Sequence, residues 1–366
     1  MILDILKKTK YLDFLKKIKN IFFKIRNNRG EVMIGLGNNE RVSYKKNSLC
    51  GNDNWIIYPL DNGKYVIANL LYGGVLDVQY RNENLIVYMN KYMSLPQQHW
   101  SLETVDTHLA YYKIRNLDVG MIIGKHIYDD TIYANYTDID DENYHWTFEE
   151  AGVIHLPIKP RLEQVDTFPQ YANQNNDLPI KTQHRLIGWT LIPSIMVQET
   201  VPLIQPLQEL PYYILEKYQY WMKLYDIALL PKEKRTITYT YGITETMQNS
   251  LTEQIGITIH TDSGVSFLLD RPGKIYPIKK QIIRDLKISE SQTEKKMIAK
   301  TEAITYQNPF VSDFLYCAKY ILTTELILKY IVRSNGNPNV EINKCIYTDP
   351  QTIQTTIYSK SEKIEI

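Results

Sequence analysis

Side chains able to do covalent or metal chemistry are scattered through this sequence without the spacings that chemistry needs. The seven histidines form no metal-ligand pattern, and no HExxH, GxSxG or phosphate-loop motif occurs. The stretch "GLGNNE", from Gly35, lacks the third glycine and the following helix of a nucleotide site. Glu149 and Glu150 suggest the acid and base of a glycosidase, but such a pair needs a set separation, and the default for adjacent carboxylates is a solvated turn. No cofactor and no metal is implied. The most pointed arrangement is "SLPQQHWSLE", residues 94–103, where Gln97, Gln98 and His99 run directly into Trp100. Tryptophan is scarce, five in 366 residues, so an amide two positions before one of them matters only if the pattern recurs.

It recurs in weakened form. Trp55 closes "GNDNW", Trp100 closes "QQHW" and Trp146 closes "ENYHW", at steps of 45 and 46 residues. A constant offset of 47 superposes Tyr65 on Tyr112, Ile67 on Ile114, Asn69 on Asn116 and Gly73 on Gly120. Repeats of this period signal one structural unit used several times. Three repeats of short strands can bury three equivalent indoles about a pseudo-threefold axis, each removing roughly 150–250 Å² from water. The expectation is a β-trefoil with Trp55, Trp100, Trp146 and Gln98 in its repeat core.

Composition agrees with a mainly β chain. There are 29 tyrosines, with Ile and Thr plentiful, and these residues suit a pleated, half-buried surface. Lys and Arg number 42 against 41 Asp and Glu, so no basic field attracts nucleic acid. Three cysteines (Cys50, Cys317, Cys345) make no disulfide framework, although pairing of Cys317 with Cys345 stays open. No signal peptide is visible, and Lys319, Glu325 and Lys329 spoil the apolar run Phe314–Val332 as a membrane helix.

The trefoil half resembles the ricin-B-type lectins, whose lobes end in Gln-x-Trp. The middle lobe reads "VLDVQYRNENLIVYMNKYMSLPQQHW". The resemblance places Asp77 at the hydroxyl-accepting carboxylate, Tyr88 at the aromatic that stacks on a sugar face, and Gln97 at the polar position before Gln98. Gly124 stands where the third lobe needs its Asp, and the first lobe offers none, so at most one lobe is competent for sugar. Gln98 reads first as a backbone-bonding lock on its lobe.

Beyond the trefoil, residues 156–181 form a proline- and amide-rich connector. "LIGWTLIPSIMV" (186–197) reads as a buried strand pair, and "PYYILEKYQYW" follows from Pro211. From Thr236 to Thr252 every even position is small or polar, while odd positions carry Ile237, Tyr239, Tyr241, Ile243, Met247 and Leu251. The same parity continues through Ile255, Ile257, Ile259, Val265, Phe267 and Leu269, a period of two that marks long or register-keeping strands. Asn335-Gly336 predicts a hairpin turn between the apolar run and "VEINKCIYT".

These blocks, in this order after a trefoil, resemble the Bin-like (Tpp) insecticidal crystal toxins of spore-forming bacteria from about residue 30 to the C-terminus. That resemblance implies a mainly β architecture: a trefoil over 29–156 and an aerolysin-like pore-forming domain over 157–366. It implies synthesis in the bacterial cytoplasm as a crystalline inclusion, solubilisation, proteolysis and action at a gut epithelial membrane. The implied partners are a cell-surface glycan or glycoprotein, the target membrane, further copies in the crystal and pore, and a second toxin protein. Residues 1–28 fall outside the match and read as a basic amphipathic helix, removed on activation or lying on membranes. A membrane-inserting hairpin is placed between about Gln254 and Lys280, its turn at "TDSG" or "DRPG". Three functions remain open: a pore-forming toxin, a lectin-like subunit that delivers a partner without making a pore, and a lectin-linked hydrolase.

Overall fold

The structure is a computed structural model. It describes residues 18, 20–48, 50–81, 84–105, 111–116, 120–126, 128–136, 141–174, 177–197, 210–242, 257–259, 265–267, 278–288, 300–330, 340–348 and 352–360.

Twelve strands build the N-terminal half as three lobes of four. Lobe one holds β1 (Ile21–Asn27), β2 (Val32–Ile34), β3 (Ser43–Lys45) and β4 (Trp55–Pro59). Lobe two holds β5 (Tyr65–Asn69), β6 (Val75–Arg81), β7 (Asn84–Asn90) and β8 (Ser101–Thr104). Lobe three holds β9 (Tyr112–Asn116), β10 (Met121–Lys125), β11 (Ile132–Asn135) and β12 (Trp146–Val153). All belong to one continuous sheet that closes where β12 pairs with β1.

The repeat has a physical basis in each lobe. The first strand ends on a buried asparagine (Asn27, Asn69, Asn116). A glycine with positive φ follows: Gly30 at 77°, Gly73 at 74° and Gly120 at 69°. That left-handed turn is where glycine costs least. Each lobe then closes on a tryptophan with no exposed surface. Trp55 Nε1 donates to Met33 O at 3.0 Å, Trp100 Nε1 to Leu76 O at 3.1 Å and Trp146 Nε1 to Ile123 O at 3.0 Å. The three indoles share one core cluster with Phe23, Ile57, Leu76 and Ile123. Each contributes about 4–6 kcal/mol of gross burial and satisfies its single donor, so the β-trefoil is explicit.

The helical reading of residues 1–28 is corrected for its last part. Ile21–Asn27 is a strand, with Ile21, Phe23, Ile25 and Asn27 buried and their neighbours half-buried. A period of two was hidden among apolar residues that also fit a helical face, and pairing with β12 decides between them. The trefoil therefore begins ahead of residue 29. Residues 1–17 lie outside the described residues.

The C-terminal half is built on two long strands. β13 (Arg185–Pro193), β14 (Tyr212–Leu229), β19 (Leu315–Tyr330) and β20 (Val340–Thr348) lie side by side, with β21 (Gln354–Ser359) also pairing β19. β15 (Lys234–Tyr241) and β18 (Lys300–Gln307) form a separate ribbon, and β16 (Ile257–Ile259) and β17 (Val265–Phe267) a short hairpin. Among the described residues one α-helix, α1 (Lys279–Asp285), packs Ile282, Ile283 and the following Leu286 over Leu215, Leu326 and Leu328. The stretch 186–197 is one strand and a 3₁₀ turn (Ser194–Met196) rather than a strand pair. Cys345 lies opposite Leu326 while Cys317 lies opposite Ile357. Nine residues along β19 are about 30 Å, so these two cysteines cannot bridge.

The halves meet through an apolar cluster in which Ile56, Tyr58, Leu60 and Tyr92 pack against Ile195, Leu210 and Tyr212. Tyr58 stacks edge-on against Tyr212 at 5.6 Å and donates to Pro211 O at 3.1 Å.

Candidate carbohydrate site and strand ribbon

The middle lobe positions its carboxylate by strand register. In the β6–β7 hairpin Asp77 lies directly opposite Tyr88, so both side chains fall on one face. Asp77 is buried; Tyr88 is half-buried, and Gln97 is half-buried in the 3₁₀ turn Pro96–Gln98. Gln98 has no exposed surface. Its Oε1 accepts from Met93 N at 2.8 Å, and its Nε2 donates to Lys91 O at 3.0 Å and to Asp77 Oδ2 at 3.2 Å. Gln98 thus does what a lock on the lobe requires and also orients the carboxylate.

Sequence reasoning missed Asn90, whose Nδ2 donates to the same Asp77 Oδ2 at 2.8 Å. The signal was its position two residues after Tyr88 on a strand, hence on the same face. Two donors occupy Oδ2, while Oδ1 is buried with no hydrogen-bond partner. Burial pushes the Asp77 carboxyl above its ordinary value, and the N–H groups of Asn90, Gln98 and nearby Val78 pull part of the way back. A buried acceptor without a partner beside an aromatic side chain calls for a donor, which a ligand hydroxyl would bring once it reaches the carboxylate.

The other lobes are closed. By the tryptophan hydrogen bonds, the positions matching Asp77 are Ile34 and Gly124, each following an indole-bound carbonyl. Ile34 is a buried core residue. At Gly124 a Cβ would lie 2.4 Å from Tyr144, whose ring occupies the space. Tyr144 stands two residues before Trp146, where lobe two has Gln98.

Glu149 and Glu150 are consecutive on β12 and so point to opposite faces, and Glu149 is ion-paired with Arg26. They do not form an acid–base pair. Among the described residues no group of His, Cys, Asp and Glu could hold a metal ion.

In the second half the threonine parity takes a concrete form. Thr236, Thr238 and Thr240 are exposed along β15, while Tyr239 and Tyr241 are buried. Across the ribbon Thr236 meets Thr305 at 2.8 Å and Thr240 meets Thr301 at 3.0 Å, hydroxyl to hydroxyl. The buried face is clasped. Tyr239 and Tyr241 donate to the two oxygens of Glu302 at 2.8 and 2.5 Å, and Lys319 on β19 donates to the Tyr239 hydroxyl at 2.9 Å. The phenols hold the Glu302 carboxyl below its ordinary value.

The β16–β17 register places Ile257 opposite Phe267 and Ile259 opposite Val265; both candidate turns, "TDSG" and "DRPG", lie outside the described residues. Ile255 and Leu269 lie outside the described residues. At the hairpin's far limit near Lys280 a helix begins, Lys279–Asp285, with Ile282 and Ile283 packed in the core. Among the described residues no helix is long and apolar enough to cross a membrane.

No protein-family model matches the chain. It is 26% identical to the insecticidal crystal protein Cry35Ab1 of Bacillus thuringiensis, over 85% of this chain and 80% of that one. It is 28% identical to the binary larvicide subunit BinA of Lysinibacillus sphaericus, over 79% and 77%. The subunit BinB of the same organism is 30% identical over 52% of this chain and 41% of its own. The crystal structure of Cry35Ab1 superposes with a TM-score of 0.78, covering 93% of this chain and 90% of that one at 26% identity.

Proposed function

We propose, from the premise that this chain is homologous to the Bin-like insecticidal toxins represented by Cry35Ab1, BinA and BinB, that it is an insecticidal toxin which attaches to a gut-surface glycan through lobe two. The observation that carries the glycan step is the Asp77 carboxylate, oriented by Asn90 and Gln98 through one oxygen and left open at the other beside Tyr88. A pyranose lays its C–H face on Tyr88 and its hydroxyl edge toward Asp77 Oδ1. Attachment through a single lobe is weak, and copies brought together on the membrane gain avidity.

The second half then acts on the bilayer. The β15–β18 ribbon presents a threonine face to water and a tyrosine face to the body, which is the two-sided pattern a β-barrel wall needs. Release of the clasp at Glu302 frees the ribbon, and the Ile257–Phe267 hairpin enters lipid. The names of BinA and BinB as binary subunits favour a second toxin protein that joins this chain at the target cell without being needed for the channel itself. Production as a cytoplasmic inclusion, dissolved and proteolysed in the gut, completes the proposal.

The test of the glycan step is an array probed with the solubilised full chain and with the D77A/Y88A variant. Wild-type binding that the double substitution abolishes, at unchanged thermal stability, is the expected result. Equal binding by both proteins reduces the trefoil to a structural role.

A further inference from the structure

The row of side chains that begins at Asp77 and Tyr88 does not end there. Tyr88 is also the bridge partner of Arg41, from lobe one. The flanking bonds are Val42 N to Val87 O at 2.8 Å and Met89 N to Glu40 O at 2.9 Å. Arg41 and Tyr88 are therefore a non-hydrogen-bonded antiparallel pair, the kind in which Cα atoms are about 4.5 Å apart and side chains lie closest. Directly opposed residues share a face, so Asp77, Tyr88 and Arg41 form one row across three neighbouring strands. Exposure rises along it: Asp77 is buried, Tyr88 half-buried and Arg41 exposed.

Among the described residues the guanidinium is held by a neutral partner and by no carboxylate. Its Nη1 donates to Thr131 Oγ1 at 3.0 Å, a neutral partner contributed by lobe three. Asp129, two residues before Thr131, is engaged with other groups: it accepts from Thr131 N at 2.9 Å and Tyr133 OH at 3.4 Å, and it faces His126 Nδ1 at 3.3 Å. Tyr133 lies opposite Ile86, two positions from Tyr88 and so on the same face, and its hydroxyl donates to Asp129, which brings these groups to one patch with Arg41. Two strand spacings separate Asp77 from Arg41, about 10 Å. That is room for one pyranose over Tyr88 with a substituent beyond it. A guanidinium fork is matched in shape and charge to a carboxylate or a sulfate ester.

We propose that Arg41 makes the lobe-two site selective for sugars carrying an anionic substituent, with the ring on Tyr88, the hydroxyl edge toward Asp77 and the anion on the guanidinium. This rests on the sugar-binding reading of Asp77 and Tyr88. Nothing in the row itself would require an arginine if the ligand were neutral, since the strand pairing that places residue 41 is made by the backbone.

The experiment prints one neutral oligosaccharide beside its sulfated and its carboxylated derivatives and probes them with the full-length chain, R41A, R41K and D77A. Wild type is expected to bind at least one anionic form about tenfold more tightly than the neutral one, with the preference shrinking as salt rises. R41A should bind all three alike at the neutral level, and R41K should keep part of the preference. Which anionic form is preferred assigns the source of the charge, sulfate or carboxylate. Equal wild-type binding to all three, or a preference that survives in R41A, overturns the inference. Sugar binding that D77A abolishes but charge does not affect sinks only the role of Arg41, whereas no binding to any sugar sinks the site itself. Because Arg41 is exposed, a thermal melt of R41A separates lost contact from lost fold.

Discussion

Gln98 sits where structural and binding roles overlap, and its replacement discriminates between them. Gln98→Ala removes three hydrogen bonds, to Met93 N, Lys91 O and Asp77 Oδ2. A net bond is worth about 1 kcal/mol, and a buried group left unpaired costs about 1–3 kcal/mol. Lys91 and Met93 are exposed residues, so water can reach their backbone and the sum falls well short of the maximum. The expected loss is about 2–3 kcal/mol, or roughly 5–12 °C in Tm for a domain of this size. Gln98→Glu keeps the shape and loses the donors, placing a second carboxylate beside Asp77. Two carboxylates sharing a site raise one pKa, so the folded protein binds a proton more tightly than the unfolded chain. The sign follows: the glutamate variant should be least stable at neutral pH and recover as pH falls through the raised value toward the ordinary carboxylate range. Chemical denaturation at pH 8 and pH 5 reads both effects. A glutamate variant as stable as wild type at pH 8 would show that Oδ2 does not depend on the Gln98 donor, and the reasoning would fail.

Gly124→Ala should cost about 1–3 kcal/mol through overpacking against the Tyr144 ring, and most of that should vanish in a Tyr144→Ala background; additive losses in the double-mutant cycle would contradict the filled third lobe. The buried Tyr44 phenol, raised to about 12 by burial and nearby carboxylates, stays protonated in the fold above the pH at which the unfolded chain ionises. Its contribution is complete below pH ~10 and is lost at about 1.4 kcal/mol per unit as pH climbs to about 12, so Tyr44→Phe should flatten the fall in stability over that window in denaturant titrations. An environment-sensitive dye on Cys at 257 or 259, in a background without native cysteines, should move into lipid on membrane binding while one at 258 stays in water; three aqueous probes in a conducting preparation would remove this hairpin from the pore wall.

The trefoil was legible because its signals are local and repeated. Tryptophan spacing and the Asn69/Asn116 and Gly73/Gly120 offsets are set by turn geometry and one buried indole per lobe, and both leave marks in residue type. A version of that signal one residue shorter stands at Asn27–Gly30. It was masked because Ile18, Ile21, Phe22 and Ile25 fit a helical period while Ile21, Phe23 and Ile25 fit a strand period, and only the long-range pairing with β12 decides between them. Asn90 and Arg41 were invisible for a related reason. Their roles come from cross-strand neighbours 13 and 47 residues away, set by register rather than by any short motif. Tyr144 filling the place of a ligand at Gly124 depends on side-chain packing that spacing does not encode. The alternation over β15 is legible in the sequence, and its even-numbered threonines are the exposed ones. Its tyrosine face rests on β19 through Lys319 and Glu302, a clasp formed between segments about 60–80 residues apart in the chain.

The central claim is that the chain attaches through lobe two and opens the membrane itself. Planar-bilayer conductance of the solubilised, protease-treated protein, added alone to membranes bearing the preferred glycan, tests this most directly. The account predicts discrete channel steps that fall sharply for D77A/Y88A and that appear without any second protein. A silent bilayer, with conductance arising only when a separate toxin protein is added, would contradict it and leave this chain as a receptor-binding subunit.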